Sequence, residues 1–431
     1  MYLEGNYKEI FKSYIANYLN INPQNVFLFW KGRIALYAIL KAIGIKEGDE
    51  IILPAFTCVV AVNPIIYLEA KPVYVDIDPK TYNIDPNKIE SKITSKTKVI
   101  LAQNTFGLSA DLDAIFKVAK KYNLFVIEDC AHGFGGFYKG KPNGTIADAA
   151  FFSTQWNKPF STGLGGIAVV REGQWVNGAM GEWVIENLKQ MEESFIKPSL
   201  KDILQLKTLI FLRKHFLNSN TYWFALKTYR WLSKHNLILG SSQGKELERP
   251  IKPKDFEKGF SEVQAKKGIE ELMGKFVNGL MSKRVNGCRG RKGWKIDKVI
   301  EHRKKVADMY KNILRDLDIE PPYEPEYAIH TYLKFPLLVK DRKKFFKEAE
   351  KEKIELGDWF ISPIHPITKN LEYWHYKYGE NPVAEKISQH IVNLPTHTKI
   401  TEDYVARLAQ FLKKNRDNIY GSYKDIMEGI N

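Results

Sequence analysis

The sequence predicts an α/β fold: a mostly parallel sheet with helices on both faces, followed by a smaller α+β domain. Three observations predict it. Between about Lys31 and Val170, short apolar runs rich in Val and Ile alternate with stretches of helical period. The runs are continuously apolar, as strands covered on both faces are, rather than alternating polar and apolar. Past residue 300 a strand-like run and helical segments follow in a different texture, which reads as α+β.

Each element has its own reason. The helix "GRIALYAILKAIG" (32–44) starts on a glycine and repeats apolar residues at helical spacing. The run "EIILPA" (50–55) is too short for a helix and reads as a strand. "CVVAVNPIIYLEA" (58–70) returns as a helix, and "PVYVDID" (72–78) and "KVILAQ" (98–103) are strands. "ADLDAIFKVAKKY" (110–122) alternates basic and apolar residues at helical period. "LFVIEDC" (124–130), "AAFFST" (149–154) and "GIAVV" (166–170) complete the strands. From about 171 to 258 the chain turns helical, aromatic and basic, as in "LKDILQLKTLIFLRKHF" (200–216) and "YWFALKTYRWL" (222–232), and reads as an insertion. A basic, glycine-containing loop, "SKRVNGCRGRKGWK", spans 282–295. A long helical segment from about Val299 leads to "TYLKFPLLV" (331–339), a strand, and "DRKKFFKEAEKEKI" (341–354), a helix. We therefore expect a large domain over 1–300 that contains the insertion, and a small one over 301–431.

Composition bounds the partners. At 431 residues, 44% hydrophobic and 13% aromatic, the chain is long enough and apolar enough to fold. Cys58, Cys130 and Cys288 match no metal-ligand spacing or disulfide framework, so no metal is expected. The opening "MYLEGNYKEI" has no basic stretch leading into an apolar one, and no apolar run reaches the length of a membrane span. A cytoplasmic protein is expected. The net charge of +15 suits nucleic acid, anionic membrane or anionic small molecules. It is spread along the chain without a nucleic-acid-binding signature, so no nucleic-acid partner is expected.

The chemistry gathers at strand ends, where ligands of such sheets bind. "LFVIEDC" finishes with Glu128-Asp129, and "AAFFST" with Ser153-Thr154, Lys158 following in the next turn. Gly32 and Arg33 begin a helix, whose N–H groups suit a phosphate while glycine permits close approach. Alone, each has a plainer reading: a solvated lysine, a capping aspartate, a turn glycine. Together they fit a cofactor with a phosphate, a basic ring nitrogen and an aldehyde. Pyridoxal phosphate is such a molecule. Burial would lower the lysine's pKa so that its amine can attack a carbonyl, the aspartate would hold the ring nitrogen protonated, and Ser153 would bond the phosphate. "DCAHGFGGFYKG" is glycine-rich but puts Tyr138 where a dinucleotide fingerprint needs its third glycine, which argues against a nicotinamide site.

At these residues the chain resembles the DegT/DnrJ/EryC1/StrS group of pyridoxal-phosphate-dependent sugar aminotransferases. The likeness runs through 31–85, through "VIEDCAHGFG" and through "GKPNGTIADAAFFSTQWNK". It resumes weakly at "GFSEVQAKKGIEEL" (259–272) and clearly at 382–412. The resemblance implies the fold-type I architecture with a seven-stranded sheet, and a homodimer with active sites at its interface. It matches Lys158 to the Schiff-base lysine and Asp129 to the pyridinium partner. His132 falls where the family has a glutamine that contacts the cofactor's ring oxygen; a structural histidine is the alternative. Gly32 and Arg33 fall on its phosphate-binding Gly-Thr pair. Two features depart from the pattern. Cys58 stands where the family has an aromatic residue stacked on the cofactor ring. "DFEKGFSE" (255–262) lacks the asparagine that reaches the partner subunit's phosphate, a contact for which Arg33 and Lys258 are candidates.

The implied reaction is transamination of a keto-sugar carried on a nucleotide diphosphate, with an amino acid such as glutamate as donor, in glycan biosynthesis. A sugar dehydratase of the same fold is one alternative, although such enzymes carry histidine in place of the lysine. A non-catalytic binding protein that kept the fold is another. The insertion is expected to pack as a core or dimer-interface element, with an anionic membrane surface as its less favoured partner.

Overall fold

Continuously apolar strands need cover on both faces, and the computed structural model provides it; residues 6–171, 180–216, 221–234, 244–274 and 294–428 are described. Seven strands form one sheet: β1 (Val26–Phe29), β2 (Glu50–Pro54), β3 (Lys71–Val75), β4 (Thr97–Gln103), β5 (Phe125–Asp129), β6 (Ala149–Ser153) and β7 (Gly166–Val170). Their order is β1-β7-β6-β5-β4-β2-β3. All neighbours are parallel except β7, which runs antiparallel to both β1 and β6. The sequence reading is correct for six of these strands and misses β1. "VFLF" is only four residues long and ends where the recognised alternation begins.

Alternate residues of each strand feed opposite faces. Phe27 and Phe29 of β1 join the core that contains Leu53 and Leu101, whereas Val26 and Leu28 join the one around Phe11 and Phe152. Helices cover both faces: α1 (Tyr7–Leu19), α2 (Gly32–Ala42), α3 (Val59–Ile66) and α4 (Leu112–Tyr122). All of α2 except Lys41 is buried, so it behaves as a core helix rather than an amphipathic one.

Within 171–258 the described residues form the helices α5 (Met180–Ser194), α6 (Leu200–Phe216), α7 (Tyr222–Lys234) and the short α8 (Gly244–Glu248). Val184, Leu188 and Leu206 pack into the main core, while Leu200 is 90% exposed and Phe224 75%. Helix α9 (Glu262–Met273) begins with a capping box at Ser261 and Gln264. Most of the basic loop at 282–295 lies outside the described residues.

Helix α10 (Lys295–Asp316) spans two cores. Ile296 and Ile300 pack with Phe11, and Val306, Ala307 and Tyr310 pack with the C-terminal residues Phe335, Phe345 and Phe411. There the strands Phe335–Leu338 and Ile391–Leu394 pair antiparallel beneath the helices Arg342–Lys351 and Glu402–Lys414. The strand read at 331–339 is shorter than expected. Tyr332 adopts φ 49°, a left-handed conformation that an extended run cannot contain.

Candidate active site

β1, β5 and β6 run in the same direction, so their carboxyl ends lie along one edge of the sheet, where such folds place their ligand crevice, and the chain around each end dictates what faces it. After β1 the chain enters α2 at Lys31, whose side chain makes no cap hydrogen bond. The first N–H groups of α2 therefore point outward as a ready anion site. Gly32 lies against Ser153 at the end of β6; a Cβ on Gly32 would sit 2.9 Å from the Ser153 Cβ. Only glycine allows that approach, and it places the serine hydroxyl at the helix N-terminus. Burial, then the neighbouring Arg33, lowers the Lys31 pKa to about 8. Crowded cations at a helix N-terminus fit a phosphate.

Lys158 follows β6 in a turn closed by its own N–H donating to the Gln155 carbonyl at 3.0 Å. Its side chain is half-buried. Desolvation lowers its pKa from 10.5 to about 8, partly opposed by Cys58 and Asp129. Asp129, at the end of β5, is 6% exposed and accepts the Ala131 N–H at 2.9 Å. Burial raises its pKa to about 6, partly opposed by that N–H and by Lys158. The Cys58 thiol is pushed up by burial and feels Lys158, Arg33 and Asp129. Residues 33, 58, 129 and 158, far apart in the chain, thus share one electrostatic neighbourhood. A lysine amine that loses its proton readily beside a buried carboxylate suits an aldehyde-bearing, basic heterocycle.

His132, three residues past Asp129, is buried, and its Nδ1 accepts the Phe106 N–H at 3.2 Å. That bond leaves the ring proton on Nε2, free to be donated. Burial, then Lys158, Lys334 and His365, hold its pKa well below 6.5, so the ring is neutral near pH 7. Its face lies 4.9 Å from the Trp359 ring at an interplanar angle of 10°. The Nζ atoms of Lys158 and Lys334 sit 4.7 Å and 5.2 Å from the Trp359 ring centroid.

The structure thus brings together Gly32, Ser153, Arg33, Lys158, Asp129 and His132. Arg33 does not present a free guanidinium: its Nη1 donates to Glu246 Oε1 of α8 at 2.5 Å, with both side chains buried. Lys258 is ion-paired with Asp202 and Asp255, at 2.9 and 3.0 Å. Either would have to leave a carboxylate to hold a phosphate. Phe56 is fully buried among Tyr82, Phe106 and Phe360, and so belongs to the core beneath the crevice. The sequence reading missed Trp359 and Glu246. Trp359 belongs to an aromatic stretch, "DWFISPIH" (358–365), whose unassigned density of rings was its one signal.

Residues 1–180 and 290–413 match the model of the DegT/DnrJ/EryC1/StrS aminotransferase family. The GDP-perosamine synthase of Escherichia coli O157:H7 is 27% identical over 413 residues, which cover 95% of this chain and 90% of that protein. A dTDP-3-amino-3,6-dideoxy-alpha-D-galactopyranose transaminase of Aneurinibacillus thermoaerophilus is 49% identical over 122 residues, 28% of this chain and 34% of that one. Among solved structures, the aminotransferase from Psychrobacter cryohalolentis superposes with a TM-score of 0.69 at 20% identity, covering 97% of this chain and 93% of the other. The aminotransferase TlmJ from Streptoalloteichus hindustanus gives 0.69 at 18% identity, over 96% and 91%.

Proposed function

From the premise that this chain belongs to the DegT/DnrJ/EryC1/StrS aminotransferase family, we propose that it moves an amino group from an amino acid, glutamate first among candidates, to a keto-sugar on a nucleotide diphosphate. The product would serve surface-glycan assembly, and pyridoxal phosphate would be the cofactor. The observation that carries the reading is the desolvated Lys158 amine in the same neighbourhood as the buried Asp129 carboxylate. The names of the two relatives, both makers of nucleotide-linked amino sugars, support the substrate class.

Bound, the cofactor would supply an aldehyde for the amino group and a ring that withdraws electrons from the substrate carbon. The remaining steps fall to this chain. The N–H groups at Gly32 and Arg33, with the Ser153 hydroxyl, would hold the phosphate. The Asp129 carboxylate would keep a proton on the ring nitrogen. His132 Nε2 would donate to the ring oxygen. The Lys158 Nζ, part neutral near pH 7, would take a proton from the substrate carbon and deliver it across the intervening nitrogen to the carbon that had been the aldehyde. The positive surface would draw in a diphosphate.

We also infer a large unit over 1–300 and a small one over 301–431, meeting along α10, a cytoplasmic location and a homodimer. Exposed apolar side chains on the insertion, such as Leu200 and Phe224, support a further partner surface. No helix among the described residues is long and apolar enough to cross a membrane.

The test is a coupled assay of the purified protein with nucleotide-linked 3- and 4-keto-sugars and glutamate, read by product mass. An aminated product from the wild type, absent with Lys158→Ala, is expected. A cofactor-loaded wild type that aminates none of the panel would overturn the reading.

A further inference from the structure

Position 58 is a cysteine, too small to offer a flat face to a heterocycle. The chain nevertheless brings a segment that carries a flat face alongside it. The Thr57 N–H donates to the Pro363 carbonyl at 2.9 Å. Ile364 then pairs with Thr57, and His365 with Cys58, in parallel register. This bridge lays a segment from some three hundred residues further on directly against the strand that carries Cys58. The same segment holds Trp359, whose own N–H donates to Asn393 Oδ1 at 2.9 Å and fixes its backbone. The indole is half-buried and faces the crevice residues: His132 stacks on it, and the Lys158 amine lies 4.7 Å from its centroid.

We propose that Trp359 is the aromatic platform against which the cofactor ring rests, in place of a side chain at position 58. The inference builds on the functional reading above. A flat ring joined to Lys158 Nζ starts within stacking reach of the indole. A ring protonated by Asp129 is electron-poor and is attracted to the electron-rich face of tryptophan. The plain alternative is a lysine resting on a core tryptophan. Two points weigh against it. Trp359 is not fully buried, and a second ammonium, that of Lys334, also approaches the ring at 5.2 Å, so the indole is gathering positive charge.

The test measures pyridoxal phosphate binding to the apoprotein by equilibrium dialysis, alongside the visible circular dichroism of the bound cofactor. Wild type, Trp359→Phe, Trp359→Leu and the double variant Cys58→Phe with Trp359→Leu are compared, each checked for a native thermal transition. Trp359→Leu keeps the apolar bulk and removes the ring. It should weaken binding by about tenfold, the scale of one such contact, and change the dichroism. Trp359→Phe should stay within about threefold, and Cys58→Phe should restore part of the loss, as expected for exchange of one ring for another. Wild-type affinity and dichroism in Trp359→Leu would overturn the platform while leaving the functional reading intact. No saturable binding by the wild type would overturn that reading and the platform with it.

Discussion

The lowered pKa of Lys158 makes a quantitative prediction about how fast the apoprotein takes up pyridoxal phosphate. Only a neutral amine attacks an aldehyde. An ordinary lysine with its pKa near 10.5 is neutral about 0.03% of the time at pH 7. Desolvation brings Lys158 to about 8, which raises that share to about 9%, a gain of roughly 300-fold. The assay is stopped-flow absorbance after mixing apoprotein with excess cofactor, across pH 6 to 10. The second-order rate should climb about tenfold per pH unit below 8 and level off above it. Lys158→Ala should lack this phase. Asp129 raises the Lys158 pKa by its charge, so Asp129→Asn should move the break to lower pH. A rate still climbing through pH 9.5 would mean that the amine is an ordinary solvated one, and the reasoning would fail.

Three further outcomes follow from the same geometry. Burial raises Asp129 from 3.8 to about 6, so the folded apoprotein holds this proton more tightly than the unfolded chain. Its contribution is fully present below about pH 4 and is lost as pH rises through about 6, a loss of about 3 kcal/mol. Apo Asp129→Asn should therefore outlast wild type in denaturant at pH 7 and lose that part of the pH dependence; an unchanged profile would refute the shift. Glu246→Ala strands Arg33 in a pair whose side chains are only 3% and 5% exposed, and should cost about 3 kcal/mol in chemical denaturation, with Arg33→Ala in the same chain recovering part of it. Gly32→Ala pushes a methyl to within 2.9 Å of the Ser153 Cβ and should weaken pyridoxal phosphate about tenfold or more while leaving pyridoxal, which lacks the phosphate, unaffected; equal losses for both would show that the helix N-terminus does not bind the phosphate.

What the sequence made legible was local. The rhythm of buried strand and helix carried six of the seven sheet strands, because continuous apolar runs report cover on both faces. The strand-end residues Asp129, Ser153 and Lys158 were readable for the same reason: polarity at the end of an apolar run points to where solvent or ligand begins. β1 escaped because four residues hold too little periodicity. The antiparallel direction of β7 was not legible either, since its run looks like the parallel ones and the twelve residues between Ser153 and Gly166 are too many to dictate a tight antiparallel turn. The pairing of Arg33 with Glu246 and the bridge that joins His365 to Cys58 span about two hundred and three hundred residues. Neither end of such a contact carries a mark of the other.

The two shifted groups belong to one design. Burial pushes Lys158 towards its neutral amine and Asp129 towards its neutral acid, so the crevice favours neutrality at both positions. Each charge that forms there loses hydration, and the opposite charge returns only part of it. A ligand that brings its own ring cation to Asp129 reverses the cost at the acid without protonating the amine. One that brings an aldehyde uses the amine in the state that burial already prefers. The crevice is therefore strained toward a single kind of guest, and the strain sets the sign of the Asp129→Asn result. The substitution should stabilise the empty protein and weaken its hold on the cofactor. A variant that stabilised both states, or neither, would break the link between burial and binding.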